Sequence, residues 1–143
     1  MDVYLLARAI GVTAFSLMLV QIILATWFRK YIKWHMWIGK IAFILAWIHP
    51  ALLEFGRGLG GYVWWGKIGL GLLTLAVAAA IFRIKHWRWI HRLNYVALVL
   101  IYVHSWNLGS DVRRFPIILL YWLAPVVLVL AIWEKLRQKE IPA

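Results

Sequence analysis

Four of the five histidines in this chain of 143 residues fall inside long apolar stretches: His35 and His49 in one, His91 and His104 in another. Ionisable and metal-binding side chains are costly in hydrocarbon, so such positions point to function. The first pair is 14 residues apart and the second 13. Along helices these separations are about 21 and 20 Å. Two parallel helices would therefore set His35 level with His91, and His49 level with His104. Two neutral imidazoles facing each other across a flat macrocycle are what a six-coordinate haem b requires, and an iron held this way exchanges electrons instead of binding oxygen. Zinc or copper would need imidazoles converging on one shared point, whereas these fall at two depths with no carboxylate among them. The chain has no cysteine, which excludes thiolate metal sites, disulfides and thiol catalysis.

Helical phase strains the second pair. At about 100° per residue, 14 steps return to within about 40° of the same face, but 13 steps miss it by about 140°. Tilt, local 3₁₀ tightening or a lateral offset between the haems would absorb the misfit. His86 is the alternative ligand, since 18 residues before His104 is five full turns. Its neighbours Lys85, Trp87 and Arg88 suit a membrane interface better.

The elements that must carry these histidines are transmembrane. Apolar residues make up 65% of the chain and its mean hydropathy is +0.81, well above a soluble domain's roughly 45–50% apolar content. Spanning a bilayer takes about 20 apolar residues in a helix, and five segments meet or approach that length: roughly 3–28, 34–55, 64–83, 89–107 and 115–134. The runs are too long and unbroken for barrel strands of about 10 residues. The expected fold is therefore all-α, one integral membrane bundle of about five transmembrane helices over residues 1–143, in contact with membrane lipid. Trp27, Tyr31, Trp34, Trp64, Trp65, Trp87 and Trp89 sit at the ends of these stretches, as an interfacial aromatic belt does. The first stretch lacks the basic start and short apolar core of a cleavable signal and is expected to be retained.

The formal charge of +11 orients the chain and does not mark a nucleic-acid partner, because the cations cluster in short polar breaks. Arg29, Lys30, Lys33, Arg83, Lys85, Arg88, Arg92, Lys135, Arg137 and Lys139 fall on one side, and only Arg57, Arg113 and Arg114 on the other. The positive-inside rule then places the N-terminus outside and the C-terminus in the cytoplasm. The expected location is the cell membrane, in a bacterium the inner membrane, with the His35/His91 level nearer the cytoplasm.

At the histidines the sequence resembles the ferric reductase-like transmembrane superfamily of ferric reductases, NADPH oxidases and the haem-binding membrane subunit of the methionine sulfoxide reductase system. That family carries two His pairs spaced 14 and 13. Trp89-Ile90-His91-Arg92-Leu93-Asn94-Tyr95 is similar to the start of its second haem helix, His49-Pro50 to the end of its first, and Trp65-Gly66-Lys67-Ile68-Gly69-Leu70-Gly71 to the helix between. The likeness covers roughly residues 5 to 130, with one helix fewer than six-helix members. It implies two haem b groups with His35, His49, His91 and His104 as axial ligands to the haem iron. Family oxidases and reductases continue into a flavin and nicotinamide domain, but this sequence ends at Ala143 without a nucleotide-binding G-x-G-x-x-G between strand and helix. The implied role is an electron-transfer component that draws on a cytoplasmic flavoprotein or reduced flavin. It would deliver electrons to an outer-face acceptor such as ferric chelate, oxygen or a partner reductase.

Haem propionates are anionic and call for cations. Lys33, Lys40 and Arg92 are candidates near the inner haem, and Arg57 and Arg113 near the outer. Arg8 stands within the first helix at about the outer depth, where facing lipid would be expensive. Gly39 and the Gly66, Gly69, Gly71 series would let backbones or a macrocycle approach closely, and Phe43 could fill the gap between haems. Two other functions fit the same apolar chain: a quinol-coupled dihaem cytochrome b subunit, and a non-haem transporter or structural membrane protein whose histidines pack or relay protons.

Overall fold

The computed structural model describes residues 2–53 and 60–140. These residues are helical with no strand among them, in the order α1 (Val3–Trp27), α2 (Ile32–Leu52), α3 (Gly60–Phe82), α4 (Trp87–His91), α5 (Leu93–Leu108) and α6 (Ile117–Glu140), with one-turn 3₁₀ segments at Arg29–Tyr31 and Asp111–Arg113. By length and apolarity four of the helices can cross a membrane: α1, α2, α3 and α6.

Local chemistry sets the ends. The Asp2 carboxylate caps α1 by accepting from the Tyr4 amide at 2.9 Å. Pro50, without an N–H to donate, stands in the last turn of α2. Arg83 and His86 take left-handed φ values of 47° and 63°, which reverse the chain after α3. Helix α6 runs past its apolar segment because Glu134, Lys135, Leu136, Arg137 and Gln138 are all good helix formers. Both Arg137 Nη2 and Gln138 Nε2 donate to Glu134 at 2.9 Å, holding that charged last stretch in register.

The expected fourth span is two helices. The ladder breaks at Arg92, whose amide donates to the Trp89 carbonyl at 3.1 Å while its own carbonyl accepts from the Tyr95 amide at 3.1 Å. Both bonds are three-residue steps, the 3₁₀ pattern that winds the chain more tightly. Helix α5 keeps 16 residues, short of a full span alone.

The helices pack as two hairpins: α1 chiefly against α2, and α3 against α4 and α5. Gly69 lets α3 and α5 approach closely, since a Cβ there would lie 2.8 Å from Ile101 Cγ1 and 3.3 Å from the Ala97 carbonyl oxygen. Helix α6 lies along α1. Phe15, Tyr102, Trp106 and Tyr121 tie α1, α5 and α6 together, with Phe15 and Tyr121 stacked at 4.7 Å. Tyr121 is 1% exposed and stands at the centre of this cluster. The hairpins touch each other sparsely, and two clefts open where they face.

Candidate functional site

The histidines come from both hairpins and meet in twos across these clefts. His35 of α2 faces His91 of α4 with ring centroids 6.3 Å apart and planes at 78°. His49 of α2 faces His104 of α5 at 6.5 Å and 79°. Each ring is half-buried and tied by Nδ1 to a backbone carbonyl of the preceding long helix. His35 reaches Gln21 at 3.3 Å, His49 Ala7 at 2.8 Å, His91 Ala76 at 3.1 Å and His104 Tyr62 at 2.9 Å. A carbonyl only accepts, so Nδ1 carries the proton and Nε2 keeps its lone pair. Metal-binding histidines are oriented in this way.

The centroid separations discriminate between uses of such a pair. Two imidazoles sharing a direct hydrogen bond, N to N about 2.9 Å, would bring their centroids to roughly 5.2 Å. Two imidazoles coordinating one ion from opposite sides, each bond about 2.0–2.1 Å, would hold them roughly 6.4 Å apart. The observed 6.3 and 6.5 Å are too long for the first arrangement and fit the second, a separation that edge-to-face ring packing also spans. Among the described residues no three His, Cys, Asp or Glu side chains converge. Asn94 Nδ2 lies 3.3 and 3.4 Å from the two ring nitrogens of His91. Nearly equidistant from both, it is off the line of the Nε2 lone pair.

A cleft of about 330 Å³ is lined by His91 but not by His35, which faces His91, and a second of about 320 Å³ is lined by both His49 and His104. Met18 of α1 lines both and forms their shared wall. Phe43 lines the first cleft alone. At the second level glycines make room for the rings. A Cβ on Gly11 would lie 2.9 Å from His49 Nδ1, and one on Gly66 2.7 Å from His104 Nδ1, so the space each imidazole occupies exists only because those side chains are hydrogen.

The hairpins repeat one design. The carbonyl acceptor precedes its histidine by 42 residues in both for the Ala7/His49 and Tyr62/His104 bonds. It precedes by 14 in the first hairpin and 15 in the second for Gln21/His35 and Ala76/His91. The second hairpin has one residue more in its turn and one fewer between its histidines, and the tightened step at Arg92 takes up that residue. The 13-residue spacing thus does not run along one ideal helix. His86 is exposed at the left-handed turn before α4 and lines neither cleft. His91 is the residue opposite His35.

The expected cation partners divide. Arg92 lines the first cleft, its guanidinium 4.2 Å from the Trp89 ring centre. Lys33 and Lys40 are exposed and line neither cleft, and the Lys40 ammonium sits 4.7 Å over Trp37 on the outside of α2. Arg88 and Lys135 also line the first cleft. Arg8 lines the second cleft and is held by Asp111 at 2.5 Å and by Ser110 Oγ at 2.8 Å, which accounts for a cation inside α1. Lys67 lines that cleft too. Arg113 turns away, donating to the Trp106 carbonyl at 3.0 Å near the end of α5. Arg57 lies outside the described residues. Lys135 is far in sequence from every histidine, so its place could be found only by packing α6.

Comparison with protein-family models, with curated proteins and with solved structures gave no match for this chain.

Proposed function

We propose that this chain is a membrane cytochrome b that binds two haems, one between His35 and His91 and one between His49 and His104, and carries electrons across the bilayer. The observation that carries this is the pair of opposed imidazole couples, each ring proton-tied to a carbonyl and each couple at the separation of two ligands about one ion. Haem b held this way supplies one-electron chemistry at a six-coordinate iron. The protein's own work is positional. The carbonyls of Ala7, Gln21, Tyr62 and Ala76 fix the tautomer and the orientation of each ring. The hairpins keep the levels about 20 Å apart along the helices. A proton relay by direct hydrogen bonding between the two imidazoles would need a shorter separation than either pair has.

The cation-rich end, with Arg29, Lys30, Lys85, Arg88 and Arg92, is the cytoplasmic end by the positive-inside rule, and a bacterial inner membrane is the fitting location. A cytoplasmic flavoprotein or reduced flavin is the donor at that end, and an outer-face oxidant such as ferric chelate, oxygen or a partner reductase is the acceptor. The resemblance to ferric reductase-like membrane domains supports this assignment.

The test is a reduced-minus-oxidised spectrum with haem quantification on the purified protein and on His35→Ala, His49→Ala, His91→Ala and His104→Ala. Two haems per chain are expected, falling to one in each variant. A wild-type protein expressed with adequate haem and showing no Soret band would end the proposal, and a His91→Ala protein that kept both haems would return the ligand to His86.

A further inference from the structure

The repeated hairpins by themselves would make the two ligand levels equivalent; α6 stands outside the repeat and removes that equivalence. Near its C-terminal end it supplies Lys135 to the cleft lined by His91, with Nζ 5.3 Å from the Tyr95 ring centre. Arg88 and Arg92 line the same cleft, and among the described residues no carboxylate does. The cleft of His49 and His104 is lined by Arg8 and Lys67 but also by Asp111, which neutralises Arg8 at 2.5 Å. Among the described residues, three cations without an anion stand against two cations with one.

We infer that these side chains make the two haems unequal, with the His35/His91 site holding an electron more tightly than the His49/His104 site, and that Lys135 sets much of the difference. This rests on the dihaem assignment above. Taking up one electron lowers the charge of either site by one, with no proton or ligand exchanged, so neighbouring cations favour the reduced form. The imidazole bonds act in the same direction. Nδ1 of His49 and His104 meets its carbonyl at 2.8 and 2.9 Å, against 3.3 and 3.1 Å for His35 and His91. A closer acceptor makes the ligand more basic and favours the oxidised iron. An electron entering from either face therefore rests at the cation-rich end.

Potentiometric titration of the haem absorbance in the purified full-length protein, with dithionite as reductant and soluble mediators, tests this. Two one-electron steps are expected. Lys135→Met should lower the upper step and leave the lower one in place, with Lys135→Arg restoring the wild-type curve and haem content staying at two. Asp111→Asn should raise the lower step and leave the upper one in place, so that both variants narrow the gap. A Lys135→Met protein in which the lower step moves, or both steps move equally, or neither moves, overturns the inference. If that variant does not accumulate, an unmoved lower step in Asp111→Asn overturns it instead. Each of these results is obtained on protein with two haems and so differs from the absent Soret band that would remove the dihaem assignment itself.

Discussion

The two histidine levels are built from the same parts and constrained differently. At the His49/His104 level each imidazole lies against a glycine, Gly11 or Gly66, and its carbonyl bond is short. The rings there are held by shape. At the His35/His91 level the carbonyl contacts are longer, and the nearest glycine on α2, Gly39, faces the Gln21 side chain and not an imidazole. That level is distinguished by charge, with cations arriving from α4, from the helix break and from α6. A repeated hairpin can thus present one histidine pair twice and still give the two different surroundings, because the neighbours outside the repeat differ.

Substitutions at four glycines grade this contrast. Gly66→Ala is expected to have the largest effect. Its Cβ would lie 2.7 Å from two atoms of the His104 ring, so the ring must leave the Tyr62 carbonyl, and one haem of two should be lost or bound at least tenfold more weakly. Haem quantification and the low-temperature EPR spectrum of the remaining centre check it; two normal signals would show that the ring is free to move. Gly11→Ala should act on the same centre more mildly, its closest approaches being 2.9 and 3.0 Å. Retention of both haems with a changed EPR signal for one is the expected result. At Gly39 the alanine Cβ meets only the flexible end of Gln21, at 3.0 Å. Both haems should stay with unaltered spectra, and thermal stability should change by no more than about 1 kcal/mol. Gly71→Ala meets nothing within 4 Å and should raise stability by about 0.5–1 kcal/mol, the helix-interior preference for alanine, measurable as a higher Tm with unchanged haem content. An equal loss of haem from all four variants would remove the distinction between shape and charge drawn above.

Much of the molecule is legible in the sequence because membrane helices are specified locally. Backbone groups in hydrocarbon must be satisfied within the segment, so an apolar run of span length is a helix whatever its neighbours. The expected segments at 3–28, 34–55 and 64–83 lie close to α1, α2 and α3. The pairing of His35 with His91 and His49 with His104 follows from rise alone, and the structure brings those same rings together. The misfit of the 13-residue spacing is also visible in advance, but not its remedy, since tilt, tightening and lateral offset satisfy the arithmetic equally.

What the amino-acid sequence determined by itself was the material and the levels: an all-α membrane bundle with four intramembrane histidines in two matched pairs. Only the tertiary structure decided which groups surround them. It selected the break at Arg92, placed the carbonyls of Ala7, Gln21, Tyr62 and Ala76 behind the rings, put Gly11 and Gly66 beneath two of them, and brought Lys135 and Asp111 to opposite clefts. Depth along a helix is a one-dimensional quantity that counting residues measures. A ring's neighbours belong to other helices, and which of them it meets depends on rotation and lateral packing, which side chains distant in the chain decide together.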